Sequence, residues 1–445
     1  GKTESGALIA VVLAGIYTAL PLRLGGAGYV PFVLLLAASG WLLVFHWKLL
    51  TTRDVAFVLG GAVVLILNVL FSGFFSLVDQ VKALMQIGAG LVLAVYLPHL
   101  GRALGPSGLR KALAIAAGTV VTLALLERIG LIRGLSDAWR EFAYQGVFTK
   151  AYDNNARDLA MVGFIRPKAF TAEPAFLAGF LFLCFNSLAL LVRRLPSALG
   201  LLAVALLSFP LVGSPIVALG ALTTLVILAI RFRQKIHLFV AIAALAVLAM
   251  LVSPAGEKAM AFAGDTIDRF DELAAGKTRQ IEDASVRSRV YVPFFVAVPT
   301  AFERNPFWGA GIGGKERLSR WVNPGFQIGS GPGAAEQTLG TNALGNMLAT
   351  LGIVGFLMLA ALFAWYWGGA MGAAAWLPLI PVIAFLFTRG AYETQSFWAA
   401  VFLLMTARAQ QRAVEVSKTA KASEPETSST TTTYHDRTRY APLGS

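Results

Sequence analysis

The stretch ALGNMLATLGIVGFLMLAALFAW, Ala343 to Trp365, contains no charged residue. A bilayer core about 30 Å thick asks for roughly 20 consecutive apolar residues per helix, and this stretch meets that requirement. The same criterion applied outward predicts twelve spans: 6–22, 29–46, 54–72, 83–98, 111–126, 174–192, 198–213, 215–230, 236–252, 343–365, 372–388 and 395–407. The two members of the pair around Gly213–Pro215 are separated by a tight turn only, and the last span is short. Composition agrees: 57% of the 445 residues are hydrophobic and 14% charged, where a soluble chain carries about 25% charged. The expected class is an all-α polytopic membrane protein. A cytosolic enzyme, a disulfide scaffold and a soluble nucleic-acid binder are excluded.

The net charge of +13 then concerns orientation. With a cytoplasmic N-terminus the inner loops hold Lys48 and Arg53, then Arg102, Arg110 and Lys111, then Arg193 and Arg194, then Arg231, Arg233 and Lys235. The short outer loops hold only Arg23, Lys82 and Arg389. Basic residues collect on the cytoplasmic side, so both termini are expected there. No exposed basic domain offers a nucleic-acid groove. Cys184 is the single cysteine, and His46, His99, His237 and His435 are scattered, so neither a metal nor a cofactor is expected.

The expected divisions are an N-terminal helical part (1–126), a first long periplasmic loop (127–173), central spans (174–252), a large loop (253–342), C-terminal spans (343–407) and a disordered cytoplasmic tail (408–445). Both long loops fall on the extracytoplasmic side. Within the second, Ile267, Phe270 and Leu273 recur at helical spacing, and 290–302 is apolar but too short to span, as a helix lying on the membrane or on the bundle would be. Gly309–Gly314 and Gly325–Gly333 read as loop. No internal repeat, phosphate loop or dinucleotide motif is present. The chain opens Gly1-Lys2-Thr3 without Met, and both ends are set aside from the fold.

The two loops carry arginines at 128, 133, 140, 157 and 166, and at 269, 279, 287, 289, 304, 317 and 320. Positive charge outside runs against the orientation bias. Arginine suits bidentate recognition of phosphate, and a lipid phosphate or pyrophosphate is the natural anion at the mouth of a helical bundle. Pairing with Asp137, Glu141, Asp158, Asp268, Asp271, Glu282 and Asp283 is the plainer account of most of them. In Arg166-Pro167-Lys168-Ala169-Phe170-Thr171-Ala172-Glu173-Pro174, the last proline suits a first helical turn. Glu173 then reads as a helix cap, a general base, or a partner for an arginine. Asn342 reads as a cap or a sugar contact. Trp139, Trp308 and Trp321 read as sugar platforms or interfacial anchors. Arg389 and Tyr392 either line the site or, for Arg389, snorkel from a helix end.

Three stretches together resemble the O-antigen ligase and polymerase superfamily. Ser285-Val286-Arg287-Ser288-Arg289, an amphipathic run, and Asn305-Pro306-Phe307-Trp308-Gly309-Ala310-Gly311-Ile312-Gly313 are similar to its arginine, helix and Pro-x-x-Gly-x-Gly turn. Thr341-Asn342-Ala343-Leu344 with Leu351-Gly352-Ile353-Val354-Gly355 is similar to the opening of its next span. Arg166 to Glu173 resembles a segment of the exopolysaccharide polymerases of that group. The resemblance implies a metal-independent, GT-C-like glycosyltransferase of the bacterial inner membrane, working at the periplasmic face. Its donor would be an undecaprenyl-pyrophosphate-linked glycan, and its acceptor another lipid-linked repeat or lipid A–core. Membrane lipids and a chain-length regulator are the further partners implied.

Arginines would stabilise the departing pyrophosphate, and a base would take the acceptor proton, with inversion at the anomeric carbon. Ligases carry His where this chain has Thr341, and neither outer loop contains histidine. The expected activity is therefore polymerisation of O-antigen or exopolysaccharide repeats, with ligation as the alternative. Glu173 or Glu336 would be the base, Glu173 preferred for its Pro-anchored position. Arg287 and Arg289 share the family arginine position. Arg166, Lys168, Arg279, Glu336, Thr341, Asn342 and Arg389 would contact substrate. A lipid-linked sugar transporter is the rival from another class, but it would place ionisable residues within the spans, which here are almost free of charge.

Overall fold

Charge-free aliphatic runs have one way to satisfy their backbone in an apolar medium, which is to coil. The computed structural model describes residues 2–23, 29–30, 32–73, 76–144, 155, 158–159, 163–252, 287–314, 317–318, 321, 342–371, 376–388 and 392–423. Its helices are α1 (Lys2–Thr18), α2 (Val33–Phe45), α3 (Thr52–Phe71), α4 (Leu77–Arg128), α5 (Arg133–Tyr144), α6 (Pro174–Leu191), α7 (Leu195–Val212), α8 (Pro215–Arg231), α9 (Ile236–Val252), α10 (Val298–Arg304), α11 (Ala343–Met371), α12 (Leu379–Thr388) and α13 (Gln395–Ser423). A π-helical stretch, Arg287–Ala297, leads into α10. Helix overlaps each of the twelve apolar segments. Among the described residues five helices are long and apolar enough to cross a membrane, or six if the pair Pro215–Arg231 and Arg233–Leu245, bent by 106°, is one span. The protein is a helical, membrane-embedded one.

Local chemistry explains the boundaries. Thr51 and Asp54 form a capping box at the start of α3. Prolines occupy the first turn of α6, α7 and α8. Gly213, with φ 62°, ends α7 and turns the chain into α8. At 1.5 Å per residue, a straight α4 would measure about 78 Å, far more than one bilayer core. Gly105, with φ 71° and ψ 169°, divides it into two arms.

Two expectations are corrected at the edges. The first helix, Lys2–Thr18, starts and ends earlier than 6–22, and the second is shorter than 29–46, because Leu22–Arg23 (β1) pairs antiparallel with Tyr29–Val30 (β2) between α1 and α2. The ordered chain also passes residue 408. Helix formers (Ala, Gln, Arg, Glu, Lys) carry α13 to Ser423, assisted by Arg408–Glu415 at 3.3 Å.

α6 is the central helix, 89% of it enclosed by protein. It packs against α8, α13 and α4, while α13 runs along α4. On α3 the opposite holds: Leu59, Val63, Ile66 and Leu70 form an exposed apolar stripe. Such a surface faces lipid.

The helix ends sort into two groups. At one end Asp54 accepts hydrogen bonds from Tyr366 (2.6 Å) and Thr51 (2.7 Å) and lies 2.8 Å from His99 Nε2. Arg193 meets Gln411 at 3.2 Å there. At the other end the segments that open α6 and precede α11 meet the ends of α1, α3, α4 and α7. The two long loops therefore emerge together.

Candidate functional site

Two built structures occupy that end. The first is the chain from Gly163 to Glu173. Ala169 and Phe170 hold φ of 44° and 69°, a left-handed conformation that costs a non-glycine residue about 1–3 kcal/mol unless its surroundings enforce it. They do. Glu127, at the end of α4 and buried, accepts the backbone N–H of Lys168 at 3.2 Å and that of Ala169. Ser136 of α5 donates to Glu127 at 3.2 Å and accepts the N–H of Phe170 at 3.0 Å. Arg140, also buried, donates Nε to the carbonyl of Thr171 (3.0 Å), Nη2 to that of Ala172 (3.1 Å) and Nη1 to Asp137 (3.0 Å). Tyr17 of α1 donates to the Ala169 carbonyl. Tyr144 donates to the carbonyls of Thr18 and, at 3.2 Å, Phe170.

The charged candidates hang on this frame. Arg166 donates Nε to the buried Asp158 at 2.7 Å, and its N–H reaches the same carboxylate at 3.2 Å. Lys168 is buried and its Nζ donates to Asn155 at 3.4 Å. Burial, and then Arg140, hold its ammonium below the usual lysine value. Burial likewise pushes the Tyr144 hydroxyl up. Arg128 lies 3.8 Å over the Phe164 ring and donates to the carbonyls of Pro210 and Leu211. Glu173 takes the N-cap position of α6 without a side-chain capping bond; its carbonyl accepts from Thr171 Oγ1 at 2.8 Å and from the N–H of Phe176 at 3.0 Å.

The second structure joins two stretches singled out in the sequence. α11 is interrupted at Gly352, with φ 67° and ψ −173°, a region open in practice to glycine only. The turn Asn305–Gly313 plugs that break. Ala310 and Gly311 donate to the carbonyls of Ala349 (2.8 Å) and Thr350 (2.9 Å), while Ile353 and Val354 donate to those of Pro306 and Phe307 (both 3.0 Å). A Cβ on Gly352 would lie 2.5 Å from the Phe307 carbonyl carbon and 2.6 Å from the Gly309 nitrogen. Asn68 of α3 pins the joint, donating to the Trp308 carbonyl at 2.8 Å and accepting from Ile312 N–H at 2.8 Å. Arg317 donates to the Ser72 carbonyl at 2.9 Å and lies 4.4 Å over the Trp321 ring.

Asn342 caps α11, accepting the Gly345 N–H at 2.9 Å and donating to the Phe387 carbonyl at 3.2 Å. Tyr392 is buried against Thr350, their oxygens 2.9 Å apart. Arg287 and Arg289 stand at the start of the π-helical stretch, whose Pro293 abuts Gly345 of α11 and whose Phe294 lies 5.7 Å from Phe387. Arg279, Glu336, Thr341, Arg389 and the 267–273 and 325–333 stretches lie outside the described residues.

Arg166, Lys168 and Glu173 are thus brought into one laced segment, and Asn342 lies with the π-helical stretch. Sequence reading missed Glu127, Ser136, Tyr17 and Asn68. For Glu127, Tyr17 and Asn68 the available signal was a lone polar residue in or just past an apolar run. Among the described residues no three of His, Cys, Asp or Glu gather as a metal would need. No protein-family model matches the chain, and no curated protein matches it.

Proposed function

We propose that the chain is a metal-independent, GT-C-like glycosyltransferase of the O-antigen ligase and polymerase group. It crosses the bacterial inner membrane twelve times, with both termini cytoplasmic. At the periplasmic face it polymerises undecaprenyl-pyrophosphate-linked repeat units. The observation that carries this reading is the joint between Asn305–Gly313 and the Gly352 break in α11. Two stretches of the family-like pattern, far apart in sequence, depend on each other physically. They do so at the end of the bundle where the Arg166–Glu173 segment is laced down.

The chemistry needs an anion holder and a proton acceptor. Arg287 or Arg289 holds the donor pyrophosphate. Arg166, fixed by Asp158, adds positive charge at the same end, and the buried Lys168 acts through its field rather than by contact. The acceptor hydroxyl oxygen attacks the anomeric carbon and the bond to the pyrophosphate oxygen breaks. Glu173 receives the proton, the lipid pyrophosphate leaves as an anion stabilised by the arginines, and configuration inverts. The test is transfer by Arg287→Ala, Arg289→Ala and the double variant, each matched to wild type for membrane expression. Loss of transfer in at least one supports the reading; wild-type transfer in all three overturns it.

A further inference from the structure

α5 turns its polar side inward. Ser136, Arg140 and Tyr144, spaced by four residues and thus on one face, are all buried and bonded to the Glu127 carboxylate or to backbone carbonyls. Its apolar side faces out: Leu135 is 65% exposed and Phe142 80%, with Trp139 6.2 Å from Phe142. At about 100° per residue, Leu135, Trp139 and Phe142 fall on one outward arc. Asp137 and Glu141 fall on another, and both are exposed. The helix thus has an inward polar face, an outward apolar face and an outward acidic face.

Its position says what covers the apolar arc. The arm Pro106–Arg128 rises about 34 Å, enough to cross the hydrocarbon core, so the chain leaves it at an interface. Exposed apolar residues continue from that arm (Ile115, Leu125) through Ile129 and Leu131 onto α5. Exposed apolar residues thus continue from the lipid-facing arm onto α5, with Thr119 and Thr122 the exposed polar residues between Ile115 and Leu125, and the acidic arc supplies the side that faces water.

We propose that α5 lies in the interfacial layer of the bilayer, with Leu131, Leu135, Trp139 and Phe142 in contact with lipid. Ser136 and Arg140 hold Phe170, Thr171 and Ala172, so the depth of α5 also sets the depth of the Arg166–Glu173 segment. The proposal stands independently of the transferase reading, because it requires only that the chain be in a membrane.

The sole cysteine, Cys184, is buried in α6, so an introduced cysteine on α5 is the only accessible thiol. Phe142→Cys and Glu141→Cys, each carrying a nitroxide, are reconstituted in lipid nanodiscs. Their relaxation is read with oxygen, which partitions into lipid, and with a neutral nickel chelate, which stays in water. The expected result is a higher oxygen-to-nickel ratio at 142 than at 141. Nickel access at both sites would place α5 in water and overturn the proposal. Low access to both reagents at 142 would mean that protein, such as a second copy, covers the face, and would overturn it equally.

Discussion

Gly352→Ala should break the joint on which the second half of the site depends. The backbone there has φ 67° and ψ −173°, which costs a non-glycine residue about 1–3 kcal/mol. The added Cβ would fall 2.5 Å from the Phe307 carbonyl carbon, among backbone atoms that have no rotamer to move. Relief requires withdrawing the turn, with loss of the Ile353–Pro306 and Val354–Phe307 hydrogen bonds, each worth about 1 kcal/mol net. The expected destabilisation is about 3–5 kcal/mol. The control is Gly368→Ala in the same helix, where a Cβ meets nothing within 4 Å. It should fall within about 0.5 kcal/mol of wild type. Denaturation in mixed micelles, read by far-ultraviolet circular dichroism, measures both. A Gly352→Ala cost as small as that of Gly368→Ala would refute the plug-and-break reasoning.

Asn68→Ala leaves the Ile312 N–H and the Trp308 carbonyl without their side-chain partner, at about 1–3 kcal/mol for a buried donor. The 305–314 turn should become cleavable by protease in otherwise folded protein, and unchanged protection would contradict the pinning role. Burial holds Lys168 below its ordinary value of 10.5. In the window just under that value the unfolded chain binds more protons than the folded one, so stability rises with pH there. Lys168→Met should lose that component of the rise; identical slopes for wild type and variant would show that Lys168 is not the group responsible.

The apolar helices were legible because a charge-free run of about 20 residues matches the thickness of a bilayer core. Their ends were less so. In the ladder of Leu22–Arg23 with Tyr29–Val30, the residues Leu22, Tyr29 and Val30 are apolar enough to read as helix, and only pairing across the turn makes them strands. The interruptions at Gly105 and Gly352 could not be told from tolerated helical glycines, since the partner that exploits the second is the distant Asn305–Gly313 turn. In the site, Arg166 and Glu173 were visible as charges beside a proline. Their supports were not. Glu127 and Asn68 are single polar residues whose partners are backbone groups contributed by remote segments, and backbone groups leave no mark in a sequence. The three faces of α5 were hidden for another reason: its buried side is the polar one, the reverse of the pattern by which a surface helix is recognised.

Whether the protein makes glycosidic bonds between lipid-linked repeats is decided by reconstitution with a purified undecaprenyl-pyrophosphate-linked repeat unit. That unit is the sole substrate, no metal is added, and product size is read on a gel. A ladder from the donor alone is the expected result. A single transfer only once lipid A–core is added would replace polymerisation by ligation. A donor unchanged in size under both conditions would contradict the proposed activity.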